Sequence, residues 1–381
     1  MADAEFQWLA TEFKTGEVIA DLTKPLNVSS IKKSLGKLET TTGSLVLPDA
    51  PKNWLRATKH GATVLHCLDM TTTDPAGLPI WSGFITRRGR SLGDSVPLSI
   101  ATIEAYLDRR YVGDRVYPDP GTGQNTIVTD LVNLYVATGS NGGIPIRVQV
   151  VTAGAGKVRT RTYKDSSDKT IYSVLTELAG VIDGIEWTIG TEWQHNPERL
   201  TFVLYVGDRI GVAAATGLAP NEQFEAPGSV TSLEYQEDYS ASNAGNDFMA
   251  TSTAIADQRP QSQHVVVPDP DRPTFERRFT PSSSIVNVDT LNAHAQARAA
   301  AEGAGQTTIS LEATARRAPR VGIDWDVGDD VQYIVGESGV VPAFPGGQSG
   351  AVRATGWQMD FGPVNVVTPV IQAPDTALAE G

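Results

Sequence analysis

The stretch that decides the fold runs from Asp289 to Val335, where a helical pattern passes into two strand patterns. It opens with DTLNAHAQARAAAEG, in which Asp289 can cap an alanine-rich helix and Gly303 can end it. The alternating run TISLEA over 308–313 predicts a strand, and WDVGDDVQYIV over 325–335 predicts a tight Gly-Asp turn and a second strand. No residue here has the character of a nucleophile or a metal cage, so the stretch indicates architecture rather than chemistry.

Length and composition favour several small β-rich domains. The chain has 381 residues and is therefore too long for one small core. Its 36 Gly and 23 Pro favour many short strands joined by turns. The net charge of −13 argues against tight nucleic-acid binding, which needs a surplus of Lys and Arg to hold phosphates. Acidity that serves only solubility is an equally good explanation of this charge.

The single cysteine and the N-terminus indicate where the chain is made. Cys67 has no partner for an internal disulfide and lies in an apolar run, which predicts a small core residue. The N-terminus lacks the basic start and apolar core of a signal peptide, and no run approaches the roughly 18 apolar residues of a membrane helix. We therefore expect synthesis in a reducing cytoplasm and no membrane span.

The first two thirds of the chain divide into a strand-rich part and a mixed part. Residues 1–110 contain five or six short apolar runs bounded by Gly and Pro, which predict a small barrel or sandwich. Residues 111–225 add a helix capped by Thr126 and a second helix between Asp168 and Gly180. A hairpin follows, with its connection expected across 190–199.

The remainder returns to strands around one insertion. Residues 226–250 and 306–370 have strand patterns. The stretch 241–273 is polar and contains four prolines, which predicts an exposed, loop-rich segment, and the helix 289–302 follows it. Residues 366–381 predict an unpacked C-terminal tail.

The sequence contains no motif that predicts a catalytic or ligand-binding site. The five histidines lack the spacing of a zinc-peptidase helix, and no Gly-x-Ser-x-Gly elbow exists. Residues 324–330 resemble a calcium loop but lack its turn glycine and closing acid, so an Asp-rich turn is favoured. We expect no catalytic, cofactor-binding or metal-binding residues, although a carboxylate pair for sugar cleavage has no local spacing rule and stays open.

Tryptophans are the remaining candidates for recognition, since their faces can stack on sugars. The candidates are Trp8, Trp54, Trp187, Trp193 and Trp325. Trp187 alternates with apolar residues and predicts a core position. Trp193, beside His195 in the expected hairpin tip, is the candidate for exposure and for contact with a glycan or a partner.

Four patterns, taken in order, resemble a known family of proteins over most of residues 1–365. They are WSGFITRR at 81–88, IEAYLDRR at 103–110, IYSVLTEL at 171–178 leading into IEW at 185–187, and the late helix followed by VGDDV at 327–331. The chain resembles the tail-hub, or baseplate-hub, proteins of long-tailed bacteriophages. The resemblance is to the minor tail proteins of phages that infect actinobacteria in particular.

The resemblance implies a fold and an assembly. The fold is mixed α+β and β-rich, with two small β-barrel domains and two inserted α+β domains. The first barrel is 1–110, the second is 226–245 with 306–365, and the insertions are 111–225 and 246–305. The implied assembly is a homotrimer whose six barrels form a pseudo-sixfold ring.

The resemblance also implies a role and partners. The ring would sit at the tail tip of the virion, adapt the sixfold tail tube to threefold tip proteins and surround the DNA exit channel. Its partners would be further copies of itself, tail-tube and distal tail proteins, the tape measure protein, and other minor tail proteins or fibres. This role is structural and not enzymatic. The alternatives are a tail-tip module that binds host glycans and a cell-wall hydrolase.

Overall fold

The computed structural model describes residues 5–181, 183–215, 217–253, 259–281, 287–336 and 341–372. The strands, numbered in chain order, are β1 Phe6–Glu12, β2 Val18–Asp21, β3 Leu26–Val28, β4 Ser30–Ser34, β5 Thr40–Val46, β6 Thr63–Asp69, β7 Leu78–Arg88, β8 Ser95–Thr102, β9 Arg115–Gly123, β10 Ile146–Val150, β11 Val158–Tyr163, β12 Glu186–His195, β13 Glu198–Gly207, β14 Gln223–Ala226, β15 Val230–Asp238, β16 Asp247–Ala250, β17 Val265–Val266, β18 Glu276–Phe279, β19 Gln306–Thr314, β20 Asp330–Val335, β21 Gln348–Asp360 and β22 Val366–Gln372.

Helices are few. They are α1 Trp54–Ala57, α2 Glu104–Leu107, α3 Gln124–Tyr135, α4 Ile171–Ala179 and α5 Val288–Glu302, with 3-10 turns at Leu47–Asp49 and Asp165–Ser167. Within the described ranges, no helix has the length and apolar character needed to cross a membrane. The chain is thus a β-rich α+β protein, as the sequence predicted.

The first large sheet has seven antiparallel strands in the order β2-β1-β6-β7-β8-β5-β3. Its two edge strands, β2 and β3, are consecutive in the chain and are joined only by residues 22–25. Seven flat strands would hold these edges about 29 Å apart, whereas five residue steps reach at most about 18 Å. The sheet must therefore curl until its edges approach. The Leu26 N–H donates to the Leu22 carbonyl at 2.9 Å and closes this connection.

The second large sheet also has edge strands that are joined by a short link. Its order is β14-β20-β21-β22-β19-β15, and β4 pairs with β21 in addition. The edge strands β14 and β15 are again consecutive and are joined by residues 227–229 alone. A three-residue connection across six strands forces this sheet to curl as well. The chain therefore builds two barrel-like sheets.

Two predicted boundaries differ from the structure. Ser30–Ser34, expected inside the first barrel, pairs with Gly356–Asp360 of the second sheet. Residues 366–372, expected in the tail, form β22, in which Val367 is buried and lies opposite Ala313 of β19. Pro369 weakened the strand signal there, because proline cannot donate to a ladder. The rest of the predicted tail, 373–381, lies outside the described residues.

Between the two large sheets in sequence, residues 111–225 fold around an apolar core that also includes Phe13, Val64, Ile103 and Leu107. Helices α3 and α4 join the three-stranded sheet β10-β13-β12, and the core side chains include Ile127, Val128, Leu131, Val132, Leu175, Trp187 and Phe202. The predicted cap of α3 at Thr126 was wrong by three residues, since Gly123 is the cap and the helix begins at Gln124. For α4 the cap is Thr170 rather than Asp168, because the Thr170 hydroxyl accepts the Ser173 N–H at 3.1 Å.

The hairpin of β12 and β13 is longer than predicted. Its ten pairs run without interruption from Glu186 opposite Gly207 to His195 opposite Glu198. The connection expected across 190–199 is therefore strand, and the tip is only Asn196 and Pro197. Gly190 was predicted to end the strand, but this glycine lies in the ladder, where a Cβ would meet the Tyr205 ring at 2.8 Å.

By its contacts the chain divides into two compact units. The first comprises Met1–Thr231 and Glu312–Val370, and the second Ser232–Leu311 and Ile371–Gly381. In the second unit, α5 lies against the sheet β17-β16-β18 and buries Leu291 and Ala295 against Ala250. Helix α5 begins one residue before the predicted start at Asp289.

Candidate structural site at the junction of three modules

Strand β4 belongs to residues 1–110 but pairs with β21, and so brings these residues into direct contact with the second sheet. Beside this pairing, Lys33 Nζ lies 2.7 Å from Asp326 Oδ2. The other carboxylate oxygen of Asp326 accepts the indole N–H of Trp357 at 2.9 Å. Trp357 is fully buried, so one carboxylate ties a lysine of β4 to a core tryptophan of β21. We call the region where the two sheets and residues 111–225 meet the junction.

The Asp-rich turn before β20 extends the junction to the 111–225 module. Asp329 accepts the Val212 N–H at 2.5 Å, and Asp330 accepts Arg209 at 2.6 Å. Gly328 has φ +95°, and a Cβ on it would lie 2.2 Å from the Ile210 carbonyl oxygen. These carboxylates thus accept hydrogen bonds from a backbone N–H group and an arginine, as expected for a turn. Among the described residues, no group of three or more His, Cys, Asp or Glu could hold a metal ion.

A bidentate ion pair between Arg353 and Glu186 joins residues 111–225 to β21. Both terminal nitrogens of Arg353 donate to the carboxylate oxygens of Glu186, one of them at 2.6 Å, and Glu186 also accepts the Ile210 N–H at 2.7 Å. Only 18% of the Arg353 side chain and 23% of the Glu186 side chain are exposed. The bonds from Glu186 raise the pKa of Arg353 despite this burial. Planar, charge-assisted pairs of this kind fix geometry as well as contributing energy.

Polar side chains also form a column between the first sheet and β12, in which Thr11 and His66 are buried and Ser82 and Thr191 are half-buried. His66 Nε2 lies 2.8 Å from the Thr11 hydroxyl, and His66 Nδ1 lies 2.6 Å from the Ser82 hydroxyl. Ser82 in turn lies 2.8 Å from the Thr191 hydroxyl. The His66 ring stacks near Phe202, with ring centres 6.4 Å apart. Three strands and the inserted module are thereby linked through one imidazole.

This column contains a serine–histidine pair, but its chemistry is not that of a nucleophile. Burial lowers the pKa of His66 to about 3. A general base works best when its pKa lies near the operating pH, and the second ring nitrogen meets a hydroxyl where a triad has a carboxylate. The arrangement is suited to holding a neutral imidazole in place.

A cavity of about 420 Å³ with a mixed polar and apolar lining lies at the junction. It is lined by Lys33, Ser82, Glu104, Thr188, Glu192 and Asp326, together with neighbouring apolar side chains. Glu104 is fully buried, and this desolvation raises the pKa of its carboxyl group. The Thr188 hydroxyl is buried without a partner among the described atoms. Size and lining suit ordered water, which commonly satisfies such groups.

The tryptophans singled out as exposed candidates serve mainly as packing residues. Trp8, Trp187 and Trp325 are buried, which contradicts exposure for the first and third and agrees with the core position predicted for the second. Trp193 lies within β12, is half-buried, and donates its indole N–H to the Gly77 carbonyl at 2.9 Å. Its contact with a glycan or a partner stays a prediction. Cys67 is buried, as predicted.

Glu186, Arg209 and Arg353 were not predicted as site residues, and Asp330 was assigned only to an Asp-rich turn. The pattern of β21 gave no signal for Arg353, because this residue alternates with the buried Val352 and Ala354 and therefore lies on the opposite face of the strand. Its partner Glu186, 167 positions away, could not be obtained from local pattern.

The fold and the junction define a β-rich protein in which polar side chains lock two curled sheets and an inserted module together. Solved phage tail proteins share this fold. A 43 kDa tail protein of prophage MuSo2 from Shewanella oneidensis is similar with a TM-score of 0.56 and 11% identity, over 97% of this chain and 99% of that chain. A tail protein from Neisseria meningitidis MC58 gives 0.53 and 15% identity, over 96% of each chain.

A chain of the PdpA–VgrG complex is also similar, with a TM-score of 0.52 and 7% identity over 96% of this chain and 64% of that one. No protein-family model matches the sequence. No curated protein matches it either. At these identities the likeness concerns the fold, which is therefore that of phage tail proteins.

Proposed function

We propose that the chain is a structural minor tail protein that forms a homotrimeric hub at the tip of a phage tail. The observation that carries the proposal is the presence of two curled sheets in one chain, each closed by a short link between its edge strands. Three such chains supply six similar sheets. A threefold assembly can therefore match a sixfold tail tube on one side and threefold tip proteins on the other.

Support for a tail role comes from the fold shared with the Shewanella and Neisseria tail proteins. The expected partners are tail-tube and distal tail proteins, the tape measure protein and other minor tail proteins or fibres. The net charge of −13 suits a ring around the DNA exit channel, because an acidic surface repels the phosphate backbone. The role needs no catalytic group.

Light scattering coupled to size exclusion tests the proposal, with electron microscopy of the same sample. We expect a particle of three times the 40.6 kDa chain mass, with threefold projections and a central hole. A closed obligate interface buries on the order of 2,000 Å² or more, so the trimer should persist at low micromolar concentration. A protein that stays strictly monomeric at high concentration, or a particle without a central hole, would refute the hub.

A further inference from the structure

One end of the first sheet presents cations around two exposed leucines. The members are Lys52, Leu55, Lys59, Arg88, Arg90 and Leu92, from α1 and its flanks, from the end of β7 and from the loop that follows it; we call them the cationic patch. Leu92 is fully exposed at 108%, and Leu55 is 47% exposed. An exposed apolar side chain amid arginines is typical of a surface that binds another protein.

Contacts within the chain hold the cationic patch in shape. One Arg88 nitrogen donates to the Leu55 carbonyl at 2.7 Å and to the Thr58 hydroxyl at 3.0 Å. The Arg88 guanidinium also lies 5.9 Å from the centre of the Trp54 ring. The end of β7 is thereby fastened to α1 and its flank before any partner binds, which lowers the ordering cost of binding.

The charges of this patch are largely uncompensated. Within the described part of the chain, Lys52, Lys59 and Arg90 have no ion-pair partner. Burial and the nearby charge of Arg90 lower the pKa of Arg88, a sign that the cations are crowded. A carboxylate-bearing surface would relieve this repulsion.

A patch of opposite sign lies on the second sheet. Its members are Glu222, Asp324 and Asp329, which we call the acidic patch; desolvation and then the two aspartates raise the pKa of Glu222. Arg320, with Nε 3.8 Å from Asp324, is the one cation within ion-pair distance of these carboxylates in the described ranges. Negative charge is therefore in surplus there.

The two patches are too far apart to neutralise each other within one chain. Strand β7 has 11 residues and carries Arg88 at one end and Leu78 at the other. The Leu78 end faces the acidic patch, since a Cβ on Gly322 would contact Ile80 at 3.0 Å. Ten strand steps span about 33 Å, whereas salt screens exposed charges beyond about 8 Å at physiological ionic strength.

Charge is segregated along the sequence in the same sense. Residues 1–110 carry 13 Lys and Arg against 12 Asp and Glu. Residues 211–381 carry 9 Arg, no Lys and 21 Asp and Glu. A second copy of the chain can thus place a surface of opposite charge against the cationic patch, which the same chain cannot do.

We propose that the cationic patch of one copy docks on the acidic patch of the next copy. This inference rests on the proposed trimer and adds to it the contact surfaces and their salt dependence. Because the two surfaces differ, the contact is head-to-tail and generates a ring rather than a twofold dimer. Leucines 55 and 92 form its apolar centre, and the charges set its register.

Sedimentation of charge-reversal variants tests this contact. In the wild type, raising salt from 50 to 500 mM should weaken association at least about tenfold, because the attraction is screened. K59E/R90E should weaken association about tenfold or more at low salt. The matched control K14E/K37E makes the same change in net charge at exposed lysines outside the patch and should leave association within about twofold.

A charge swap guards against variants that merely misfold. E222K/D324K should dissociate the assembly as K59E/R90E does, and the chain carrying all four substitutions should regain most of the lost affinity. Circular dichroism and melting curves confirm folding of each variant. A trimer that ignores salt and both reversals would overturn the docking inference and leave the hub intact. A wild type that never associates would overturn both.

Discussion

Replacing the buried His66 should make the stability of the protein less sensitive to acid. Burial lowers the pKa of His66 from 6.5 to about 3, so the folded chain keeps this imidazole neutral. Below pH 6.5 the unfolded chain binds a proton that the folded chain does not, and the free energy of unfolding therefore falls as pH falls. This loss continues until the pH approaches 3.

The size of the effect follows from the two pKa values. At pH 5, which is 1.5 units below the ordinary value, the single histidine costs about 2 kcal/mol of stability. Unfolding entropy of about 2.1 cal/mol/K per residue gives about 0.8 kcal/mol/K for a chain of 381 residues. The penalty therefore corresponds to about 2–3 °C in melting temperature.

The assay is calorimetry of the wild type, H66Q and H60Q at pH 7 and pH 5. Glutamine can still bond the Thr11 and Ser82 hydroxyls but takes up no proton. We expect the melting temperature of the wild type to drop about 2–3 °C more than that of H66Q between the two pH values. The exposed His60 provides the control, and H60Q should follow the wild type. Equal drops in wild type and H66Q would refute the reasoning.

Three further predictions concern the junction and its surroundings. Glu186→Ala should cost about 3 kcal/mol in chemical denaturation because it leaves Arg353 buried and unpaired, whereas E186L/R353M should cost about 1 kcal/mol or less; equal losses would contradict this. Gly328→Ala should lose about 3 kcal/mol or more, and expression of soluble protein should fall. Gly217→Ala, also at positive φ but with nothing within 4 Å, should lose only about 1–2 kcal/mol. Trp193→Phe should lower stability by about 1 kcal/mol in thermal melts, through loss of one hydrogen bond, and an unchanged melt would show that bond to be dispensable.

Local pattern predicted the elements whose signals are local. The stripe from Ile171 to Leu178 with Gly180 at its end gave α4 to within a turn, since periodicity and a stop signal coincide there. The alanine-rich helix α5 was likewise found within one residue. Strand periodicity and turn residues were also enough to predict a β-rich chain.

Contacts between distant segments were beyond such patterns. Nothing in Ser30–Ser34 specifies Gly356–Asp360 as its neighbour, because a strand's pattern states which face is buried and not which strand lies beside it. The partner of Arg353 was hidden for the same reason. The placement of Trp193 in the hairpin tip was wrong, because Gly190 was taken as the end of a strand that continues to His195.

The pairing of strand β4 also constrains how the chain folds during synthesis on the ribosome. Ser34 emerges 322 residues ahead of Gly356, the residue it lies opposite. At translation rates of about 5–20 residues per second, this strand waits roughly 16–64 s for its neighbour. Throughout that interval it is an open edge on a nascent chain. Its two central lysines, Lys32 and Lys33, carry the charge that keeps such an edge from recruiting the wrong strand.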